Sequence, residues 1–402
     1  MKTPSFRPAA CIVAGVIACT LIAGCAPKAR KAEGHMDTPQ THYQQGMKYW
    51  DMGEYVRAEE SFNLAHSLDR TYAPAVSGLA LITAWKATQA ATVDETRSLF
   101  REAIKLADRA QSLNNKIPEV FIAKALVLTM QHEGEPAREW LRSVEREYER
   151  AIKIDPNNAE AYYRRGFCYK KAFEFSKAAA DFRKVLDIDQ GFTTEANHQW
   201  ELVQKIERAA PGTEVGKRIA LVEEISRADI AALYISELGI DKLVTKRRPK
   251  SYDTGFEAPD DPRAMDVDRV ESMKSVTDID NHWARNFIID IVDLNIRGLE
   301  PYPDRTFQPN ELINRGEFAI LVEEALIAIL GDQDLATRHI GATQSRFPDV
   351  NPSHPAFNAA CNAVDRGILS ADMSGEFGMA RPVSGPDALL AIRNLKNLNR
   401  IE

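Results

Sequence analysis

Gly46, Tyr49, Ala58, Phe62 and Ala65 recur with the same internal spacing as Gly166, Tyr169, Ala178, Phe182 and Val185. A small residue with an aromatic three positions on, followed by Ala, Phe and Ala or Val at helical intervals, describes two helices packed face to face. The small residue lets the helices of a pair approach, and the Phe fills the gap to the next pair. This recurrence predicts a stack of helix pairs, each burying its apolar face against its neighbours.

The spacing resembles the tetratricopeptide (TPR) repeat, a helix pair of about 34 residues. The two copies begin 120 residues apart, whereas three perfect repeats would take about 102. The excess is placed by reading Ala80 and Ala103 as the helix-pair positions of a second, lengthened repeat. Ala125 and Val144 then serve a third that ends at Tyr148, Ala151 and Pro156. Leu99, Ala103, Leu106 and Ala110 share one helical face, as this requires. Residues 193–208, with Trp200 and Ile206, read as the capping helix of a solenoid over 39–208, followed by a linker at 209–222. In such a stack the first helices line a concave face. Here they would present Tyr43, Met47, Trp50, Tyr163, Phe167, Lys170 and Lys171, a groove for a protein partner. Met47 and Phe167 also suit packing between repeats.

A second recurrence follows. Ile225-Ser226-Arg227-Ala228-Asp229 matches Ile313-Asn314-Arg315-Gly316-Glu317 and, more weakly, Val383-Ser384-Gly385-Pro386-Asp387. Each pairs Ser or Asn with an acid three residues later at the head of an apolar helix, which is a capping box. Upstream of the second helix stand Thr277-Asp278-Ile279, His282-Trp283-Ala284, Gly298, Tyr302-Pro303-Asp304 and Phe307. Their counterparts before the third are Phe347-Pro348-Asp349-Val350, His354, Gly367 and Phe377. Together these segments resemble the S-layer homology (SLH) domain. The copy at 276–330 is nearly complete, that at 347–399 is degenerate, and the first keeps only its final helix. The resemblance implies a pseudo-threefold helical bundle over 223–402, with 240–275 a polar insertion or linker. It also implies carbohydrate binding between the copies through Arg315, Arg227, Asp278, Trp283 and Asp349. An Arg offers a planar fork to a carboxylate, and a Trp offers a stacking face. Trp283 equally suits core packing, and Asp278 a turn cap.

The amino terminus carries an address. Lys2 and Arg7 precede an uncharged run ending Ile22-Ala23-Gly24-Cys25, the organisation of a secretory signal. The end of the run resembles the bacterial lipobox. This implies removal of residues 1–24, lipidation of Cys25 and, with Ala26 next, sorting to the outer membrane, facing the periplasm. Residues 25–38 would be a tether. Cys168 and Cys361, in separate apolar helical contexts, read as lone buried thiols.

The chain has 402 residues and a formal charge of −7, with no basic stripe for nucleic acid. It contains no phosphate loop, nucleophile elbow or zinc-protease motif. Asp278-x-Asp280-x-His282 lacks the remainder of a calcium loop. The expectation is an all-α protein, a TPR solenoid followed by an SLH-like bundle with short loops, without catalytic residues, cofactor or metal. It would scaffold a protein partner and hold peptidoglycan or a wall-linked polysaccharide. Alternatives are an assembly factor for an export complex and a surface lipoprotein holding an S-layer or extracellular polymer.

Overall fold

The computed structural model describes residues 30–132, 137–247 and 276–401. Cys25, the signal segment and most of the expected insertion lie outside the described residues. The chain forms two compact units that divide between Cys168 and Tyr169. Helices account for both, and no strand is named among the described residues beyond two isolated bridges. None of the described helices is long and apolar enough to cross a membrane.

In the first unit α1 (Pro39–Asp51) pairs with α2 (Tyr55–Leu68), α3 (Ala73–Thr88) with α4 (Val93–Leu113), and α5 (Glu119–Gln131) with α6 (Ala137–Ile154). The residues in excess of a perfect repeat lengthen helices. Helices α3 and α4 have 16 and 21 residues and α6 has 18, against 13 and 14 in α1 and α2. Ala80, Ala103, Ala125, Val144, Tyr148 and Ala151 are all buried at the pair contacts. Phe62 is fully buried, wedged between two glycines. A Cβ on Gly46 would come within 2.5 Å of its ring, and one on Gly78 within 2.4 Å. Gly46 therefore serves the contact within the pair, and Gly78 admits the same ring to the next pair.

The expected tether is tied down over its second half. The Arg30 amide donates to Ser67 O at 2.8 Å, and Asp37 bridges Arg30 and His42. Its position against the end of α2 follows from these bonds.

Helix α7 (Ala159–Lys171) carries the division between the units. The second unit continues with α8 (Phe175–Ile188), α9 (Thr193–Ala209), α10 (Glu214–Ile219) and α11 (Arg227–Leu233), which runs on into a π turn at Tyr234–Leu238. Then follow α12 (Ile240–Arg247), α13 (Arg285–Asp293), α14 (Arg315–Leu330), a 3₁₀ turn at Gln333–Ala336, α15 (Phe357–Asp365) and α16 (Gly385–Ile401). Helix α9, read as the end of the first domain, packs against both α8 and α16, and Lys205 Nζ donates to Asp387 Oδ1 at 2.9 Å. The buried residues of α9 are Ala196, Val203, Ile206 and Ala209. The segment from 240 opens with α12, whose Ile240 is fully buried.

Three helix-opening segments close into a ring at the heart of the second unit. Ile225 N donates to Val383 O, Val383 N to Ile313 O, and Ile313 N to Ile225 O, at 2.9, 3.3 and 3.0 Å. All three side chains are buried. Ser226 and Asn314 complete the capping boxes that the sequence predicts, with Asp229 and Glu317 reaching back to the cap amides.

Two carboxylates inside this unit hold it together. Glu237 accepts from the amides of Gly212 and Thr213, the Thr213 hydroxyl and Lys396 Nζ. Gly216 is small for this reason, since a Cβ there would lie 2.1 Å from Glu237 Oε1. Glu323 on α14, 2% exposed, accepts from Arg297 and from Asn358 and Asn362 on α15. Buried charge is tolerated where each oxygen finds donors.

Candidate functional site

On the first unit the concave face is built from first helices, with α3 beside both α1 and α5. Tyr43 is half-buried, its ring centroid 5.9 Å from that of Phe62 and 6.2 Å from that of Tyr72. Burial, reinforced by the charges of Glu160 and Glu119, holds its phenol well above the usual range. Trp50 packs edge-on against Tyr55 at 5.1 Å, and Tyr55 stacks on Trp85 at 4.6 Å. Trp50 thus belongs largely to the aromatic packing of the first pairs, as does Met47. Tyr163 meets Phe167 at 5.0 Å, near-perpendicular. Lys170 and Lys171 fall in the second unit. Lys170 Nζ donates to Gln199 Oε1 at 2.6 Å, and desolvation lowers its pKa, while Lys171 is exposed.

The SLH-like copies use the same clamp twice. Asp278 Oδ1 and Oδ2 accept from Phe307 N and Gln308 N at 2.8 and 2.7 Å. Asp349 accepts from Phe377 N and Gly378 N at the same distances. Desolvation opposes ionisation of Asp349, but the two amides outweigh it and hold the carboxyl below its usual range. On the far side of each clamped segment an arginine donates to the carbonyl: Arg227 Nε to Phe307 O at 2.8 Å, Arg315 Nε to Phe377 O at 2.9 Å. The Asp and Arg motifs are therefore two ends of one bracket around a buried Phe, and each guanidinium lies over that Phe ring, at 4.7 and 4.8 Å.

The two arginines differ in what remains. Arg227 is 9% exposed, and Nη1 and Nη2 donate to Gly298 O and Glu300 O. Each of its three nitrogens thus donates to a backbone carbonyl. Arg315 is less buried, and besides Nε only Nη2 has a partner among the described residues, Ser370 O at 3.0 Å. Burial lowers its pKa. Beside Arg227 lies a cleft lined by Tyr302, Glu311, Leu312, Glu317 and Ile320. The Tyr302 hydroxyl donates to Glu311 at 2.6 Å, which raises the phenol pKa.

Trp283 is 48% exposed, its ring beside those of His282 and Phe287, so it is a surface aromatic and not a core one. At the third position Gly385 replaces the arginine for a steric reason. Its amide donates to Val222 O, and a Cβ would meet Ile219 O at 1.8 Å. The backbone at 219–222 occupies the space that a side chain would need. Sequence reasoning missed Glu237, the Glu323 cluster, Tyr302 and Glu311. Lone acids on apolar helices, such as Glu237 and Glu323, are the signal that could have found the first two. Among the described residues no group of three or more His, Cys, Asp or Glu is placed to hold a metal ion.

Two families of known proteins match parts of the chain. The TPR repeat family matches residues 146–172, and the S-layer homology domain family matches residues 277–319. A probable UDP-N-acetylglucosamine–peptide N-acetylglucosaminyltransferase, SPINDLY, from Solanum lycopersicum is 30% identical over 106 residues. That match takes in 26% of this chain and 11% of the relative's length. Among solved structures, a thermophilic TPR protein from Thermus thermophilus is similar over 41% of this chain and 81% of its own, at 13% identity and a TM-score of 0.35. The MamA protein is similar over 42% and 82%, at 18% identity and a TM-score of 0.27. YrrB, a TPR protein with an unusual peptide-binding site, is similar over 43% and 79%, at 17% identity and a TM-score of 0.26. The described residues are all-α, and the chain carries a match to the TPR repeat, a module of protein–protein interaction, and one to the S-layer homology domain, a module of cell-wall binding.

Proposed function

We propose that this is a non-enzymatic envelope lipoprotein, anchored in the outer membrane through Cys25 and facing the periplasm. Its repeats engage a protein partner, and its C-terminal copies hold peptidoglycan or a polysaccharide linked to it. The observation that carries the reading is the coexistence, in one chain, of the two family matches at 146–172 and 277–319. The lipobox-like Ile22-Ala23-Gly24-Cys25 adds the anchor, since several acyl chains on one protein hold a membrane stably where one does not. Nucleic acid is not among the expected partners of an acidic chain.

Within the wall-binding copies, Trp283 is the favoured contact. It is exposed, its ring beside those of His282 and Phe287, whereas Arg227 and Asp278 are engaged in holding the fold. The test is retention of the purified full chain on peptidoglycan sacculi, before and after attached polymers are stripped. Trp283→Ala should reduce retention by at least about tenfold, as for a central aromatic contact, without altering thermal unfolding. Loss on stripping would identify the attached polymer as ligand. Failure to bind either preparation would sink the wall-binding reading.

A further inference from the structure

The concave face of the first unit contains a cleft whose chemistry is more specific than partner binding in general. Its floor is apolar: Leu81 of α3 and Ile122 of α5 are 1% and 3% exposed, and Met47 and Leu126 flank them half-buried. Its rim is acidic, formed by Glu119 and Glu160 beside Tyr43. The enclosed space is about 10 Å³, room for about one water, so a bound segment would lie across the cleft and not fill it.

The charges around it do not cancel. Arg164 is the cation of the group, its Nε bound to Glu160 at 2.7 Å and Nη2 to Asp51 at 3.0 Å. Lys124, the cation on α5, is turned to Asp108 and Glu147. Glu119 has no ion pair among the described residues, and its Oε2 is shielded from solvent without a hydrogen-bond donor. A shielded carboxylate oxygen with no donor is costly. It is an acceptor waiting for a group that the chain does not supply. Both glutamates also act on Tyr43, whose phenol they help to push up after burial has done so.

We infer that this cleft receives a lysine or arginine side chain of a partner polypeptide, next to an apolar residue of the same segment. The cation pairs with Glu119 within reach of Glu160, while its aliphatic stem lies over Met47 and Leu126. The apolar neighbour covers the rest of the floor. A basic, amphipathic segment fits; an acidic one meets uncompensated like charge. The inference rests on the reading of the repeats as a partner-binding face.

The test uses the full chain in detergent micelles and a random dodecapeptide phage library, followed by fluorescence anisotropy on the synthetic winners. Winners should share a basic residue beside an apolar one. Replacing that basic residue by norleucine, or Glu119 by Gln, should each weaken binding about tenfold. Affinity should also fall as salt rises to roughly 0.3 M. Glu119→Lys should reject the basic peptides and accept their glutamate-exchanged versions, a swap that a merely unfolded variant cannot produce. Winners that are acidic, or that lose less than about twofold on Glu119→Gln, would overturn the inference while leaving the groove a peptide site. No enriched peptide at all would overturn the groove itself, and this inference with it.

Discussion

Arg227 and Trp283 occupy motif positions of one copy set and have opposite surroundings, one buried and bonded, the other exposed. Each nitrogen of the Arg227 fork donates to a backbone carbonyl, those of Phe307, Gly298 and Glu300. Truncation would leave these acceptors without a donor in a largely buried site. Arg227→Ala should cost about 3 kcal/mol or more, and Arg227→Lys should recover little, because an ammonium cannot reproduce the fork. Urea unfolding would measure both, and an unchanged midpoint would return Arg227 to the list of ligand contacts. Glu237 gives a pH prediction at the same scale. Burial opposes its ionisation, but the Thr213 hydroxyl and amide, the Gly212 amide and Lys396 outweigh that and hold its pKa below the ordinary value. A carboxyl with a depressed folded pKa stabilises above its unfolded pKa, and that stability is lost as pH falls through the folded value. Stability should therefore decline below about pH 4.3, the unfolded value, and Glu237→Gln should flatten the decline while lowering the plateau at neutral pH. Denaturation midpoints across the acid range would show it.

At the scale of elements, the ring of Ile225, Ile313 and Val383 explains why three dissimilar copies remain in register. Each segment's amide is satisfied by another's carbonyl, so removing one copy would expose polar backbone in a buried centre. The third copy keeps the ring but loses its arginine because the chain at 219–222 passes over it. Gly385→Ala should consequently cost at least about 2 kcal/mol, since the obstructing atom is backbone and cannot step aside as a side-chain tip would. A melting temperature equal to that of the parent would mean that the 219–222 backbone shifts freely. The same logic separates Gly46 and Gly78 from ordinary helix glycines, as both face the Phe62 ring. The first was legible from its recurrence as Gly166; Gly78 was not, having no counterpart that the spacing could pick out.

At the scale of the whole molecule, the two binding surfaces proposed here lie on different compact units. Trp283→Ala should lower wall retention and leave peptide affinity intact, and Glu119→Gln the reverse. Both are measured on the full chain with the two assays above. Helix α9 shows what periodicity leaves open. Its Ala196, Val203, Ile206 and Ala209 give the periodicity of a capping helix, and periodicity reports that a face is buried without saying against what. The partner on its other side, α16, lies far along the chain, and contact at such separation leaves no local trace.

The sequence alone determined the helical class, the helix pairs, the capping boxes and the two buried thiols, because spacing and capping are local and their physics is read within a few turns. Tertiary structure decided the rest. It placed Asp278, Asp349 and Arg227 as brackets on the backbone, brought Trp283 to the surface, and left Glu119 Oε2 shielded without a donor beside Tyr43. Whether a charged side chain is consumed by the fold or remains for a partner depends on which carbonyls and amides arrive around it. Those arrive from positions tens of residues away.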